Sequence, residues 1–578
     1  MYKRQLQEHE LANLLDIVKA TDTVRTPKVA IAVMLDLNTS WPDPAAKDAR
    51  LRDEPPLEGA TKRLEGNRAT ILQVVDGKLR VLRDVGPVNM GYKDVLSYFM
   101  DYAEKKFYSM NSMLIIGDHG GGIRGIAWDG HQKGHLEIGD LSSVLANHHV
   151  NVLTLDACLM GQTEVIDKLM GSATYIVASE LPSPVDGLTY SAFIPMLLSD
   201  PGMSSETLAK KIVETYKIDK ESHTAVAVDT SEMVILTTAV NELGSRLTLG
   251  LQADPANMSK IIKDILSKTW KANPMPYIDI GDFAHRISID SRITSSEIKT
   301  IAELVWLSVD PAIISKKIEF WSLGLDLKMV KLDTTGLNGL SVFFWDRGGA
   351  GSNAAVANSY WTTYTQFPTF SNGGWGKFMQ AYIAATKPKS TTIKITHPGH
   401  ELFLNVYDST GRHIGYDPEN PTRLGIDAEI DGALYLDMEN GTKIIILPEE
   451  LEEFEVVVDG RFMEEPEEPY ELTYTIGEGD ELIFEETLEA TIEEGTSHSM
   501  PVQVTSTTVE VGETTVITPE PEPEPEPEEE PDKPGGIPGF GYESILIGLL
   551  LSTFLIWLSR RTLPHPDLAR RNGIPLQC

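Results

Sequence analysis

Cysteine is almost missing from this chain: two occur in 578 residues, Cys158 and Cys578, the latter the last residue. So few, so far apart, exclude a disulfide framework of the kind that staples small secreted domains, and without a Cys-x-x-Cys pair a zinc ribbon or dithiol redox site is excluded too. Basic residues are scarce as well, since 50 Lys and Arg against 85 Asp and Glu give a formal charge of −35. A nucleic-acid partner needs cationic surface to neutralise phosphates, and the surplus here is acidic. The third absence is at the front, where "MYKRQLQEHELANLLDIVKATDTVRTPK" contains no apolar stretch of signal-peptide length.

What is present divides the chain. Residues 1–26 read as an N-terminal extension. From 27 to 384, short apolar runs alternate with amphipathic segments, the pattern of an α/β body with a mostly parallel sheet. "VAIAVML" (Val29 to Leu35) reads as a first buried strand, and "ATILQVVDGKLRVLRD" as two strands joined through Asp76-Gly77. "YKDVLSYFMDYAEKKF" has helical spacing, and Ser231 is the expected cap of a helix in "SEMVILTTAVNEL". Residues 390–517 turn to β-rich runs broken by Gly, Asp and Pro, expected to form an all-β, sandwich-like domain. Residues 518–536, containing "PEPEPEPEPEEEPDKP", cannot bury a core and read as a stiff linker. Within 537–561, "ILIGLLLSTFLIWL" followed by Arg560 and Arg561 fits a transmembrane anchor with the preceding chain outside the cell, leaving 562–578 as a tail. The missing export signal is then most simply explained by an incomplete or misassigned start.

In an open α/β sheet, functional groups collect beyond the carboxyl ends of the strands. Two such ends carry reactive types: "LIIGDHGGG" delivers His119 and "NVLTLDACLM" delivers Cys158. A thiol is only a few per cent ionised at neutral pH, and an imidazole supplies the missing base. The glycines after His119 leave room for a substrate carbonyl, and the backbone amides of Gly120 and Cys158 are candidates for an oxyanion hole. Taken singly, a cysteine after a strand is more often core filling and an HGGG run a turn.

"IIGDHGGG" followed by "LTLDACLMGQTEV" resembles the paired signatures of the clostripain family of cysteine peptidases, whose fold is a caspase-like α/β/α sandwich. The resemblance extends to "VNMGYKDVLSYFMDYA", "IVASELPSPVDGLTY", "YIDIGDFAHRI", "GLSVFFW" and "WGKFMQAY", covering roughly Pro27 to Tyr382. It implies that His119 is the catalytic histidine and Cys158 the nucleophile. It also implies cleavage after Arg or Lys, with Asp156 and Asp186 as the acids that receive the basic side chain. Self-cleavage between the histidine and cysteine segments is a family habit, for which Lys133 in "WDGHQKGHLE" is the candidate and Arg124 its competitor. The stretch "NTSWPDPAAKDARLRDEPP" departs from the family, lacking its acidic, asparagine-rich run. The C-terminal anchor resembles archaeal surface-protein sorting signals, although their tails are shorter.

The expected activity is therefore that of a surface-held cysteine endopeptidase acting on proteins or peptides with Arg or Lys at the cleaved bond. A catalytically silent scaffold that binds a surface partner, and a transpeptidase using the same acyl-enzyme, are the alternatives. No cofactor is required; calcium is used by some relatives, but no motif supports it, and no metal ligands are assigned. His131, His135, His148 and His149 match no zinc spacing.

Overall fold

The computed structural model describes residues 2–518 except 27, 38–39, 45, 47–48, 54, 59–62, 108, 110, 130–133, 149, 185, 217–222, 273–274, 320, 324–328, 332–333, 348–358, 398–401, 417–425, 431, 438–440, 462, 464 and 480. Among those residues, no helix is long and apolar enough to cross a membrane. The expected linker, apart from Thr518, the expected anchor at 537–561 and the tail at 562–578 lie outside the described residues.

The chain begins with α1 (Tyr2–Thr23). Leu11, Leu14 and Val18 recur at helical spacing and are 1%, 3% and 6% exposed, in one apolar cluster with Leu72, Tyr190, Phe193 and Ile194. Burying such side chains is worth roughly 1.5–3 kcal/mol each, so α1 is a fixed part of the body rather than a loose extension. Strand β1 (Ile31–Asp36) is followed by β2 (Leu57–Glu58), β3 (Ala69–Val75) and β4 (Lys78–Gly86). These form a four-stranded sheet in the order β1-β3-β4-β2. Asp76 and Gly77, both at positive φ, close the β3–β4 hairpin, as their sequence dictates.

Next come α2 (Lys93–Lys106), β5 (Met113–Gly117), β6 (Ile126–Asp129), β7 (Gly134–Leu136), α3 (Ile138–Leu145), β8 (Val150–Asp156), α4 (Thr163–Leu169), β9 (Ala173–Ala178), α5 (Tyr190–Ser199), α6 (Ser205–Thr215) and β10 (His223–Asp229). They lead through α7 (Met233–Ala253) and β11 (Tyr277–Asp279) to β12 (Ile313–Glu319), β13 (Ser341–Phe343) and α8 (Gly374–Thr386). The central sheet has the order β12-β10-β9-β8-β5. β5, β8 and β9 are parallel, whereas β10 runs antiparallel to both β9 and β12.

The body is thus mixed α/β: four of the five central strands share one direction, in keeping with the expected mostly parallel sheet, and the reversed β10 is its one correction. Alternating apolar runs and amphipathic helices look the same whichever way the next strand enters, and α5 with α6 is a connection long enough for either. "VAIAVML" is corrected too: β1 is only part-buried and pairs antiparallel with β3. Nor does Ser231 cap α7. Asp229 caps the turn that precedes that helix, its side chain accepting from the Ser231 amide.

From Lys389 to Ile517 the described residues are all strand and turn, in two antiparallel sheets of five and seven strands. Ile393, Leu404, Ile445, Val456, Leu472 and Val502 from the two sheets share one buried cluster, the arrangement of a β-sandwich.

Candidate active site

The register of the parallel pair explains how two distant residues meet. Gly117 of β5 lies opposite Asp156 of β8, so His119 and Cys158 each stand two residues beyond the same rung of the ladder. The ladder continues outward through Asp118, whose amide donates to the Asp156 carbonyl at 3.4 Å. Gly120 is packed so closely on the carbonyl oxygen of Cys158 that a Cβ there would collide with it. The glycines after His119 therefore serve this close approach as well as the turn itself.

The His119 turn is tied back on both sides. The carbonyl of His119 accepts from the Ala127 amide at 3.1 Å, Gly121 donates to Gly125 at 3.0 Å, and the Tyr277 hydroxyl donates to the Gly121 carbonyl at 2.8 Å. Burial holds the His119 imidazole below its ordinary pKa, so it is the neutral base form at neutral pH.

Cys158 lies in a turn just past β8, 6% exposed, and Leu159 after it adopts the left-handed region at φ 64°. Such a conformation is rare for a branched side chain and persists only where surrounding contacts fix it. Those contacts are the residues of "GQTE". Gly161 donates to Ser179 at 2.6 Å; Gln162 reaches the histidine turn, accepting from the Ile123 amide at 2.9 Å; Thr163 donates to the Ser341 carbonyl at 2.8 Å; and Glu164 accepts from the Phe343 amide at 3.0 Å. Burial pushes the Glu164 carboxyl up to about 8. The amide of Ser183 donates to Cys158 Sγ at 3.2 Å.

Asp156 is part-buried, and its Oδ2 accepts from the Leu188 amide at 3.1 Å and the Tyr190 hydroxyl at 2.8 Å. Burial nevertheless raises its pKa. Gly187, at φ +61°, presses on the same carboxylate: a Cβ there would sit 2.7 Å from Oδ2. Asp186 is the residue next to that glycine in the chain. Asp186 accepts from His9 of α1, Nδ1 to Oδ1 at 2.6 Å, and this partner holds its pKa below the usual carboxylate value.

The structure thus gathers His119, Gly120, Cys158, Asp156 and Asp186 at one sheet end. β8 ends at Asp156 and Cys158 is in the turn beyond it, so strand alternation does not relate the two; bonds from Ser183 and Leu188 join them. Lys133 lies outside the described residues, as do His131 and His149. Arg124 is in the turn Gly122–Arg124 with its guanidinium 5.9 Å from the Tyr360 ring centroid, so it is engaged rather than looped out. His135 stacks on Trp128, and His148 lies 3.1 Å from Glu104. Among the described residues, no group of three or more His, Cys, Asp or Glu side chains is arranged to hold a metal ion. Missed from the sequence were Tyr190, although it closes the quoted "PVDGLTY", and His9, whose signal was the apolar periodicity of Leu11, Leu14 and Val18 in the supposed extension.

A cysteine and a histidine at adjacent strand ends, beside part-buried carboxylates, define a site of the cysteine-peptidase class. Residues 71–371, just over half of the chain, match the clostripain family of C11 peptidases, and the chain belongs to that family. It is 31% identical over 142 residues to clostripain of Hathewaya histolytica, a match covering 20% of this chain and 26% of that one. The chain thus spans about a quarter of the length of that curated relative. Among solved structures it is similar to an inactive zymogen C11 protease from Parabacteroides distasonis, with 17% identity, TM-score 0.45 and coverage of 63% of this chain and 94% of the other. A secreted C11 cysteine protease from Bacteroides thetaiotaomicron, solved with an irreversible peptide inhibitor, is similar at 15% identity and TM-score 0.43, covering 62% and 95%.

Proposed function

We propose that this chain is a cysteine endopeptidase that cleaves after Arg or Lys. The observation that carries the reading is the Gly117–Asp156 register, with Gly120 packed on the Cys158 carbonyl, which sets the histidine and cysteine turns side by side above Asp156. His119 takes the thiol proton and Cys158 attacks the scissile carbonyl. The amides of Gly120 and Cys158 receive the developing oxyanion. Imidazolium at His119 then gives its proton to the leaving amine, and the same nitrogen activates a water that hydrolyses the thioester, returning the thiol. Asp156 and Asp186 receive the cationic side chain, a charge-assisted contact that neutral side chains cannot make. Self-cleavage at Lys133, and display at a cell surface on the 518–536 linker by the 537–561 segment, belong to the same reading.

The test is hydrolysis of fluorogenic peptides ending in Arg, Lys, Asp or Leu, with Cys158→Ala beside the intact chain. Release from Arg and Lys alone, lost in Cys158→Ala, is expected. No release by the intact protein would leave a scaffold, and preference for Asp or Leu would remove the pocket role of Asp156 and Asp186.

A further inference from the structure

α1 lies outside the residues that match the family, yet one of its turns faces the candidate pocket acids. His9 and Asn13, one helical turn apart, both bond Asp186: His9 through its carboxylate at 2.6 Å, Asn13 by donating to its backbone carbonyl at 3.2 Å. Glu10, between them, points to the end of β5. Its Oε1 is 3.1 Å from the place that a Cβ on Gly117 would take, so the missing side chain of Gly117 is what leaves room for the carboxylate. Asp156 and Asp118 are its charged neighbours, and Tyr190, which donates to Asp156, also feels its charge. The buried row Leu11, Leu14 and Val18 fixes the helix in this position.

We propose that α1 is a wall of the pocket for the basic side chain: Glu10 is a specificity-determining residue that adds a third carboxylate for the substrate's cation, and His9 and Asn13 are positioning residues that hold Asp186. The inference rests on the Arg/Lys reading above. Its chemistry follows from the charges. Burial, then Asp156 and Asp118, push the Glu10 carboxyl up to about 8, so in the empty pocket it is mostly protonated at pH 7. A guanidinium or ammonium entering between Glu10, Asp156 and Asp186 favours its ionisation, and the proton leaves to solvent. Asp186 remains about half exposed and open to that cation while His9 orients it.

The experiment measures kcat/KM on Arg- and Lys-terminated fluorogenic peptides across pH 6–9, together with thermal unfolding, for the full chain and for Glu10→Gln, His9→Ala, His9→Gln and Asp156→Asn. Glu10→Gln is expected to lower kcat/KM about tenfold, chiefly through KM, the size typical of one charge pair in a partly desolvated site. It should also remove a rise in kcat/KM through about pH 8 and raise the unfolding midpoint, because a crowded carboxyl is gone. A merely structural role would lower stability and activity together. His9→Ala should raise KM, and His9→Gln, which can still donate to Asp186, should restore it. Unchanged kcat/KM and pH profile in Glu10→Gln would overturn the inference, and so would an increase, which would make α1 a cover over the pocket rather than its wall. If Asp156→Asn behaves like the intact chain on basic peptides, the Arg/Lys reading itself fails and takes this inference with it.

Discussion

The backbone amide of Ser183 donates to the sulfur of Cys158 across 3.2 Å, and five residues later the amide of Leu188 donates to Asp156 across 3.1 Å. A single segment after β9 therefore supports both the nucleophile and the acid two residues before it. Removing the donor with Ser183→Pro is expected to weaken the support of the sulfur in its reduced, attacking form. Iodoacetamide alkylation of Cys158 in the reduced protein should slow, with kcat about tenfold lower near pH 7.

Gly187→Ala tests the fit between that segment and Asp156. The residue is at φ +61°, and the new Cβ would meet Asp156 Oδ2 at 2.7 Å, so the carboxylate must shift. Such positive-φ substitutions cost about 1–2 kcal/mol of stability. Efficiency on Arg peptides is expected to fall about tenfold or more, with denaturant unfolding reporting the smaller stability loss.

Gln162 is the side-chain bridge from the cysteine loop to the histidine turn, accepting from the Ile123 amide. Gln162→Met keeps the volume and leaves that amide without its acceptor, at a cost of about 1–3 kcal/mol. The histidine turn should loosen, lowering kcat more than it changes KM, which steady-state kinetics on one Arg substrate resolves.

Much of this site was legible in the sequence because its chemistry is local. His119 and Cys158 sit at the ends of apolar strands, and the strand–turn pattern marks such positions. Asp156 and Asp186 followed only from family resemblance, since one resembles a strand-end polar residue and the other an ordinary residue before a turn glycine. The antiparallel entry of β10 was hidden because strand direction leaves no trace in hydrophobic period. His9 and Glu10 were hidden for a different reason: their partners, Asp186 and Asp156, lie well over a hundred residues away, and such pairings emerge only when the helix packs.

Glu164 gives a pH signature separate from catalysis. Its carboxyl is fully buried, and its pKa rises from 4.5 to about 8. The folded state therefore prefers it protonated: its stabilising contribution is complete below pH 4.5 and is lost as pH climbs to about 8. Unfolding midpoints for Glu164→Gln should decline less between pH 5 and 8 than those of the parent chain, provided the amide keeps the Phe343 bond.

The most direct measurement is covalent labelling of the active site. The full chain is treated with two irreversible peptide reagents, identical except for Arg or Leu at the reactive end, and adducts are located by peptide mass mapping. The account predicts an adduct on the peptide containing Cys158, formed about tenfold or more faster with Arg than with Leu, and abolished by Cys158→Ala. An absent adduct at Cys158, or Leu reacting as fast as Arg, would contradict it.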